Sequence, residues 1–307
     1  MTSILPEAVY GDPPLVLATV SSAAVQVSPL APGAPALEDM ANGSLGRIII
    51  AAPPGTLERR FVLAHALRAL TVGGELIALA PKDKGGSRLG KELTGFGCHV
   101  VENARRHHRI CTVRRGEEVV GLEAAIADGA PRLVPGVDLW SQPGVFSWDR
   151  IDPGTAMLLA TPADHKGRGA DLGCGIGVLA RHVLRSAAVT DLLCVDIDSR
   201  AVDAARRNLG DPRARVVQAD LRADPAMSAI QDLDFVIMNP PFHDAGREDR
   251  GLGLAFISIA ARMLRKGGVC RVVANVALPY EARLAEVFKA IKLISQSGGY
   301  KVYEAVK

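Results

Sequence analysis

Residues 170 to 177 read Ala-Asp-Leu-Gly-Cys-Gly-Ile-Gly and lead into the apolar helical pattern of residues 178 to 184. Glycines at 173, 175 and 177 let the backbone approach a ligand closely at the junction of a strand and a helix. A dinucleotide site would place its third glycine at position 178, where this chain has Val. The stretch therefore predicts an α/β fold with a nucleotide-type site whose ligand is not a dinucleotide.

Two carboxylates follow the loop, at the ends of the next two predicted strands. The strand over residues 191–195 ends at Asp196, 19 residues after Gly177, where a carboxylate can accept hydrogen bonds from both hydroxyls of a ribose. The strand over residues 215–218 ends at Asp220, which is placed to receive an adenine amino group. With Asp171 in front of the glycines, the pattern Asp-x-Gly-x-Gly-x-Gly resembles the S-adenosylmethionine loop of class I methyltransferases.

This resemblance implies a site for the cofactor S-adenosyl-L-methionine, with the methionine part over the glycine loop. We interpret Cys174, inside the loop, as a small space-filling side chain and not as a nucleophile. The predicted cofactor-binding residues are Asp171, Gly173, Cys174, Gly175, Gly177, Asp196, Ile197, Asp220, Leu221 and Asn239.

A second motif indicates the chemistry. Residues 234 to 243 read Asp-Phe-Val-Ile-Met-Asn-Pro-Pro-Phe-His, a buried strand followed by Asn239-Pro240-Pro241-Phe242. An exocyclic amine on a base is a poor nucleophile because its lone pair is conjugated into the ring. The Asn239 side-chain oxygen and the Pro240 carbonyl can each accept one N–H and aim the lone pair at an electrophilic methyl group. We therefore predict Asn239, Pro240 and Phe242 as catalytic, and Pro241, Phe242 and His243 as substrate-binding, with Phe242 stacking on the base.

Length and composition are compatible with two domains. The chain has 307 residues, of which 48% are hydrophobic, enough for one large or two medium cores. No apolar run reaches ~18 residues, and the first ten residues lack the features of a signal peptide, so we expect a cytoplasmic protein without membrane contact. The five cysteines are scattered and form no C-x-x-C pair, so we expect neither disulfides nor a metal site.

The first half of the chain resembles part of the second half. Residues 46–55 and 234–242 each form an apolar strand that runs into a Pro-Pro exit, and residues 66–79 and 260–273 each contain a helix, a Gly-Gly turn and an apolar strand. This pattern indicates a duplicated α/β unit, although the same elements recur in any doubly wound fold. In the first copy Ala52 replaces Asn239, Gly55 replaces Phe242 and the glycine loop is missing, which predicts that this copy is not catalytic.

Positive charge is concentrated in the first copy, although the whole chain carries only +3. Grouped Lys and Arg bind phosphates with little dependence on base sequence, so we predict RNA contact here; a solvated loop and helix face is the alternative. Residues 82–115 contain three acidic and nine basic residues. The basic residues are Lys82, Lys84, Arg88, Lys91, Arg105, Arg106, Arg109, Arg114 and Arg115.

The second half also resembles one particular family, the bacterial ribosomal RNA guanine-N2 methyltransferases of the small-subunit type (the RsmC and RlmG group). The matching segments are Pro-Gly-Val-Phe-Ser-Trp-Asp-Arg-Ile-Asp-Pro-Gly at 143–154, Asn-Pro-Pro-Phe-His-Asp at 239–244, Val-Ala-Asn at 273–275 with Leu-Pro-Tyr at 278–280, and Gly-Tyr-Lys-Val-Tyr-Glu-Ala at 299–305. The resemblance covers about residues 135 to 307, and several of these segments are not required for cofactor binding. The first half resembles the family only weakly, through its layout and through segments such as Lys-Gly-Gly-Ser-Arg at 84–88.

The resemblance implies two tandem Rossmann-like class I methyltransferase domains. Residues 1–135 form the degenerate one, with an RNA-binding or structural role, and residues 136–307 form the catalytic one, with a seven-stranded mixed sheet. The implied reaction is S-adenosylmethionine-dependent methylation of guanine N2 in ribosomal RNA. The partner is ribosomal RNA or a ribosomal subunit, and the enzyme acts as a monomer without metal. Phe146 and Asp152 could close over the cofactor.

Two other functions stay open at this point. Adenine-N6 and protein-glutamine methyltransferases share the Asn-Pro-Pro-aromatic exit, usually with Tyr where this chain has Phe242. An RNA-binding assembly factor could keep the fold without catalysis. The intact site residues favour an enzyme; they are Asp171, Asp196, Asp220 and Asn239.

Overall fold

The computed structural model describes residues 5–241, 243–244, 247–248 and 250–307. The chain forms two compact units, Met1–Pro131 and Arg132–Lys307. All five cysteines are buried and free.

Among its described residues, unit 1 contains one six-stranded sheet and three α-helices, together with a 3-10 turn (Leu37–Asp39) and a π turn (Lys82–Gly86). Its strands are β1 (Glu7–Tyr10), β2 (Val25–Gln26), β3 (Leu45–Ala51), β4 (Leu70–Pro81), β5 (Val100–Arg105) and β6 (His108–Arg114). Its helices are α1 (Thr56–Ala69), α2 (Ser87–Gly95) and α3 (Leu122–Gly129). The strand order is β2-β1-β3-β4-β6-β5; the first four strands in this order run parallel to one another, and the β4–β6 and β6–β5 pairings are antiparallel.

Unit 2 contains a seven-stranded mixed sheet and six helices among its described residues. Its strands are β7 (Arg132–Val134), β8 (Leu139–Ser141), β9 (Gly167–Leu172), β10 (Val189–Asp196), β11 (Ala214–Gln218), β12 (Leu233–Met238), β13 (His243–Asp244), β14 (Arg247–Glu248), β15 (Leu264–Asn275), β16 (Ala290–Ser297) and β17 (Tyr300–Val306). Its helices are α4 (Pro153–Leu159), α5 (Val178–Val183), α6 (Ser199–Leu209), α7 (Pro225–Ser228), α8 (Arg250–Met263) and α9 (Tyr280–Val287). The main sheet has the order β11-β10-β9-β12-β15-β17-β16, while β7 pairs with β8 and β13 with β14.

The two main sheets share one topology. The six strands of unit 1 have the same order and directions as six adjacent strands of unit 2, β10-β9-β12-β15-β17-β16. In both sheets three parallel pairings are followed by two antiparallel ones. In this correspondence β3 matches β12, and β4 matches β15. The prediction of two Rossmann-like units, with a seven-stranded mixed sheet in the second, is confirmed. The shared topology supports the duplication inferred from the sequence.

The central strands of unit 2 are buried on both faces, which explains their continuous apolar sequences. Val236, Met238 and Ala170 are completely or almost completely buried. Close pairing of β9 with β12 requires a glycine at position 169, because a Cβ there would lie 2.1 Å from the ring of Phe235. This packing holds the carboxyl ends of the two strands side by side, where the predicted site residues lie.

The Pro-Pro exit of unit 1 is filled by a buried ion pair. The side chain of Arg59, in α1, is fully buried, and its Nε and Nη2 each donate a 2.7 Å hydrogen bond to the Glu92 carboxylate. Its Nη1 donates to the carbonyls of Pro53, at 3.0 Å, and Pro54, at 2.8 Å. These prolines correspond to Pro240 and Pro241 in unit 2. The carbonyls at this corner are thus used by the protein itself, in keeping with the predicted loss of catalysis.

We expect Arg59→Ala to lower the free energy of unfolding of unit 1 by about 3–5 kcal/mol, because the buried Glu92 carboxylate loses its cation. The double variant Arg59→Leu with Glu92→Leu should lose less, since no charge is left uncompensated. Urea titration read by hydrogen-exchange mass spectrometry resolves the peptides of unit 1. Arg114→Ala is the control, because the Arg114 side chain is 72% exposed in its pair with Glu75 and its loss should cost under ~1 kcal/mol. Equal losses in Arg59→Ala and Arg114→Ala would contradict a structural role for the buried pair.

Candidate active site

The predicted site residues meet at one edge of the sheet in unit 2. Strands β11, β10, β9 and β12 are adjacent and parallel, so their carboxyl ends share that edge. Gly173 follows β9, Asp196 ends β10, Asp220 follows β11 and Asn239 follows β12. Ligands in open α/β sheets bind at this edge, in the crevice beyond the strands.

The glycine loop forms an open cradle between β9 and α5. Gly173, Gly175 and Gly177 have φ values of +73°, +53° and +88°, in the left-handed region that favours glycine. The N–H groups of Gly173 and Cys174 donate to the Val195 carbonyl at 2.8 and 3.0 Å, which ties the loop to β10. A Cβ at Gly175 would meet no atom within 4 Å, so this face of the loop is accessible to a ligand.

Asp171 is a buried carboxylate with one oxygen left over. Its Oδ2 accepts a 3.0 Å hydrogen bond from the N–H of Ala180, in α5. Its Oδ1 is buried and has no hydrogen-bond partner in the part of the chain that the structure describes. Burial raises the pKa of Asp171 to about 8. A positively charged ligand group would stabilise the ionised form and satisfy this oxygen.

Asp196 connects the end of β10 to the glycine loop. Its Oδ2 accepts from the Gly175 N–H at 2.8 Å, and its Oδ1 accepts from the Asp198 N–H at 3.0 Å. Burial raises the pKa of Asp196 to about 6, against the opposing effect of these backbone hydrogen bonds. The carboxylate therefore lies directly beside the cradle, as expected for a group that binds a ribose.

Asp220 is held by its near neighbour Arg222. The Asp220 carboxylate accepts from the Arg222 backbone N–H at 2.9 Å and from Nε and Nη2 at 3.0 Å. Hydrogen bonding from the Arg222 guanidinium lowers the pKa of Asp220. An adenine amino group would share this carboxylate with Arg222.

Three other predicted cofactor-site residues contribute in different ways. The side chains of Leu221 and Cys174 belong to core clusters and are only 3% and 6% exposed. Burial raises the pKa of Cys174 well above its usual range, which fits a space-filling role. Ile197 offers its backbone, whose carbonyl accepts a 3.0 Å hydrogen bond from Gln218 Nε2.

The amide of Asn239 has a defined orientation. Its Nδ2 donates to Asp152 Oδ2 at 2.9 Å and to Thr155 Oγ1 at 3.0 Å. A carboxylate oxygen accepts hydrogen bonds and does not donate them, so Nδ2 must face Asp152. Both N–H groups are used in these two bonds. Within the described residues, the amide oxygen Oδ1 is the group of this side chain that remains for a substrate.

The Asn-Pro-Pro exit lies against the glycine loop. A Cβ on Gly173 would be 3.7 Å from Cδ of Pro241 and 3.4 Å from the ring of Phe256. The chain after β12 therefore lies close to the start of the loop, with room for little more than one added methyl group between them. Phe242 lies outside the described residues, and of His243 the structure describes the backbone, in the short strand β13.

Thr155 is a site residue that the sequence analysis missed. Asp152 was expected to close over the cofactor, but in the structure it is the N-cap of α4, where its Oδ2 accepts a 2.9 Å hydrogen bond from the Thr155 N–H. The sequence contained a signal for this contact. Asp before Pro is a typical start of a helix, and an N-cap at Asp152 makes Thr155 the third residue of that helix, close to the capping carboxylate. Phe146, the other expected lid residue, is 62% exposed.

Comparison with known proteins places the chain in a family. The family model "Methyltransferase small domain" matches residues 136–304. Ribosomal RNA small subunit methyltransferase C from Escherichia coli O9:H4 (strain HS) is 32% identical over 262 residues, which cover 83% of this chain and 73% of that protein. The enzyme of the same name from Shigella flexneri serotype 5b (strain 8401) matches with the same identity and coverage.

The chain belongs to the ribosomal RNA small subunit methyltransferase C family. The resemblance drawn from the sequence motifs is thereby confirmed. A solved structure described as T. thermophilus 16S rRNA N2 methyltransferase (RsmC), in complex with AdoMet and guanosine, matches 98% of this chain and 88% of its own, with a TM-score of 0.76 and 24% identity. At that identity the likeness supports the fold.

Two further features of this family member concern membranes and metals. Among the described residues, no helix combines the length and apolar character needed to cross a membrane. In the same part of the chain, no three His, Cys, Asp or Glu side chains lie together as potential metal ligands.

We expect the stability of this family member to depend on pH through Asp171. Because its folded-state pKa, about 8, lies above the usual value of an unfolded Asp, about 4, the stabilisation from its protonated form is complete below pH ~4 and is lost as the pH rises to ~8. The free energy of unfolding should therefore fall relative to that of Asp171→Asn over this range and then level off. Both tryptophans, Trp140 and Trp148, belong to unit 2, so tryptophan fluorescence reports its unfolding. A difference that does not vary with pH would show that Asp171 is ionised throughout.

Proposed function

We propose that this protein transfers a methyl group from S-adenosyl-L-methionine to the exocyclic N2 amine of a guanine in ribosomal RNA, and that this RNA is the one of the small subunit. One observation carries the proposal: the Asn239 amide is held with Oδ1 as its remaining acceptor, at a corner packed against an open glycine cradle. Family membership adds the substrate class, since the relatives are named as methyltransferases of small-subunit ribosomal RNA.

The edge of the sheet in unit 2 fits the cofactor. The buried, unpaired Oδ1 of Asp171 suits a cationic ligand, and the open face at Gly175 leaves room for it. Asp196 is placed for the ribose and Asp220 for the adenine. When bound, S-adenosylmethionine supplies an electrophilic methyl group on a sulfonium sulfur. AdoMet is present in the solved T. thermophilus relative.

The residues around Asn239 would prepare the amine. The Asn239 Oδ1 and the Pro240 carbonyl each accept one N–H of N2, which directs the lone pair away from the ring plane. Phe242 provides a stacking face, and His243 a further contact to the base. The guanine must be splayed out of its stack to enter, which costs least where the RNA is single-stranded. Catalysis is mainly positioning, and a dedicated general base is optional.

The alternatives receive less support. The relatives that match this chain over 83% of its length are named as ribosomal RNA methyltransferases, and not as adenine-N6 or protein methyltransferases. A non-catalytic assembly factor would not need Asp171 buried with an unsatisfied oxygen, an arrangement that costs stability unless a ligand satisfies it. Guanine-N2 methylation therefore accounts best for both the family and the site.

We expect Asn239→Ala to lower turnover by about 100- to 1,000-fold, because the amine loses one of its two orienting acceptors. Affinity for S-adenosylmethionine, measured by calorimetry, should change little. The assay uses ribosomal RNA from a deletion strain, tritiated cofactor and identification of the labelled nucleoside. N2-methylguanosine is the expected product, with Asn103→Ala in unit 1 as the control for an unrelated exposed Asn. Labelled N6-methyladenosine, labelled protein or normal turnover by Asn239→Ala would each overturn the proposal.

We further propose that unit 1 contacts RNA through a basic surface at the end of its sheet. The β5–β6 hairpin turns at Arg106 and His107, whose positive φ values, 47° and 61°, are those of a two-residue turn. The Lys82 N–H donates to the His107 carbonyl at 2.8 Å, which brings the segment after β4 to the same end. We define the hairpin surface as Lys82, Lys84, Arg88, Arg105, Arg106 and Arg109.

Three of the nine predicted bases lie outside this hairpin surface: Lys91, one turn after Arg88 in α2, and Arg114 and Arg115, at the other end of β6. Arg114 pairs with Glu75, in the middle of β4, whereas His108 pairs with Pro81 at the carboxyl end of β4. Arg115 follows Arg114 and donates from Nε to the Leu67 carbonyl at 2.8 Å. The expectation that the whole basic segment forms one surface was wrong for Arg114 and Arg115, because an extended strand of seven residues separates the ends.

Salt dependence tests the hairpin surface. We expect Arg106→Ala to weaken RNA binding and to reduce the slope of log affinity against log salt by about 0.7–1, because one phosphate contact is lost. Filter binding or fluorescence anisotropy over a range of salt concentrations measures the slope. Arg114→Ala removes an exposed Arg at the end of β6 that lies away from the turn, and should leave the slope unchanged. Identical slopes for both variants would exclude the hairpin surface from RNA binding.

We also propose that the enzyme acts as a monomer in the cytoplasm, on ribosomal RNA or a ribosomal subunit. Support for a monomer comes from the site itself, because the glycine loop, the three carboxylates and Asn239 all belong to unit 2 of one chain. Support for the location comes from the substrate class of the relatives.

A further inference from the structure

We infer that Asp152 and Thr155 are positioning residues that select the catalytic orientation of the Asn239 amide. The inference rests on the proposed function and deepens it. Its basis is the pair of hydrogen bonds from Asn239 Nδ2, at 2.9 Å to Asp152 Oδ2 and at 3.0 Å to Thr155 Oγ1. These residues lie 87 and 84 positions away from Asn239 in the chain, on a helix that precedes the first strand of the main sheet.

An Asn side chain can present either its oxygen or its NH2 group at nearly the same position. With Oδ1 toward the substrate, Asn239 accepts an N–H of the amine; after a flip, Nδ2 would oppose that N–H as a second donor. A flip would also place Oδ1 against Asp152 Oδ2, so that two acceptors face each other at hydrogen-bond distance. The carboxylate therefore excludes the unproductive orientation, and the Thr155 hydroxyl satisfies the second N–H.

Asp152 is itself fixed in place. As the N-cap of α4, its Oδ2 also accepts from the Thr155 N–H at 2.9 Å. Gly154 has no space for a side chain, because a Cβ there would lie 2.9 Å from the Tyr300 ring and 3.0 Å from Asp152 Oδ2. α4 packs on β15 and β17, and its Leu158 is 2% exposed in the core. The carboxylate thus has a rigid support from the helix and from the sheet.

Asp152 has two functions in the structure: it caps α4, and it accepts a hydrogen bond from Asn239 Nδ2. Substitutions can separate the two, because only the second requires an acceptor at that position. Asp152→Ser keeps a capping oxygen for α4 but is shorter and moves the acceptor away from Asn239. Asp152→Asn keeps an oxygen of the right reach. Thr155→Val removes the hydroxyl at similar volume, and Thr155→Ser restores it. The matched control is Asp224→Ser, because Asp224 also caps a helix in front of a proline, accepts from the Ala226 N–H at 2.8 Å, and is not bonded to Asn239.

The test is steady-state methylation of ribosomal RNA, with cofactor affinity by calorimetry and thermal unfolding measured on the same samples. We expect Asp152→Ser and Thr155→Val to lower kcat about 10- to 100-fold, with KM for RNA and Kd for S-adenosylmethionine within about twofold of the original values. Asp152→Asn and Thr155→Ser should recover most of the activity, and Asp224→Ser should be unaffected. A loss confined to kcat, with rescue by the conservative variants, is not expected from a merely structural role.

Four outcomes would overturn the inference. The first is unchanged kcat in both Asp152→Ser and Thr155→Val; the second is a parallel loss of S-adenosylmethionine affinity, which would make them cofactor-site residues. The third is a loss of kcat in Asp152→Asn as large as that in Asp152→Ser, which would show that the charge of Asp152 matters and not the position of its acceptor oxygen. The fourth is a loss of kcat in Asp224→Ser equal to that in Asp152→Ser. Asn239→Ala, assayed in parallel, distinguishes the two proposals. If Asn239→Ala keeps normal turnover, the proposed function fails; if Asn239→Ala loses turnover while Asp152→Ser and Thr155→Val both keep the original kcat, only this inference fails.

Discussion

The parallel register of β12 against β9 is the constraint on which the site depends. Ile237 pairs with Asp171, so the residues two positions further on, Asn239 and Gly173, are level at the edge of the sheet. A shift by one residue would turn the side chains of β12 to the opposite face and carry Asn239 away from the loop. The tight contact of Gly169 with the Phe235 ring holds this register from inside the core. The chemistry at the surface is therefore determined by a packing contact some four residues below it.

Much of this arrangement was predictable from the sequence because the motifs are local. The glycines, the carboxylates at strand ends and the Asn-Pro-Pro exit each combine a strand with the turn that follows it, and parallel pairing brings all of them to one edge. What orients Asn239 was not predictable in the same way. Its partners lie more than eighty residues earlier, and only the folded sheet and α4 bring them within 3.0 Å. Spacing along the chain contains no measure of that distance.

Local interactions also changed the expected roles of charged residues. Asp220 appeared in sequence as an isolated carboxylate, but Arg222, two positions on, reaches back to it with three donors. Arg114 appeared as part of one basic run, yet the strand carries it to the far end of the sheet, beside Glu75. In both cases the sequence identifies the charge correctly. Its partner depends on the direction of the strand or loop that carries it.

The Arg59–Glu92 pair has a consequence for the history of the two units. Restoring an amide at position 52 would not by itself create a methylation site in unit 1, since the Arg59 guanidinium already engages the Pro53 carbonyl, which corresponds to the Pro240 carbonyl of the proposed mechanism. Removing the guanidinium would leave the Glu92 carboxylate buried without its cation, so several coordinated replacements would be required. If the two units arose by duplication, single substitutions therefore cannot reverse the change at this corner, although the surface of unit 1 can continue to diverge.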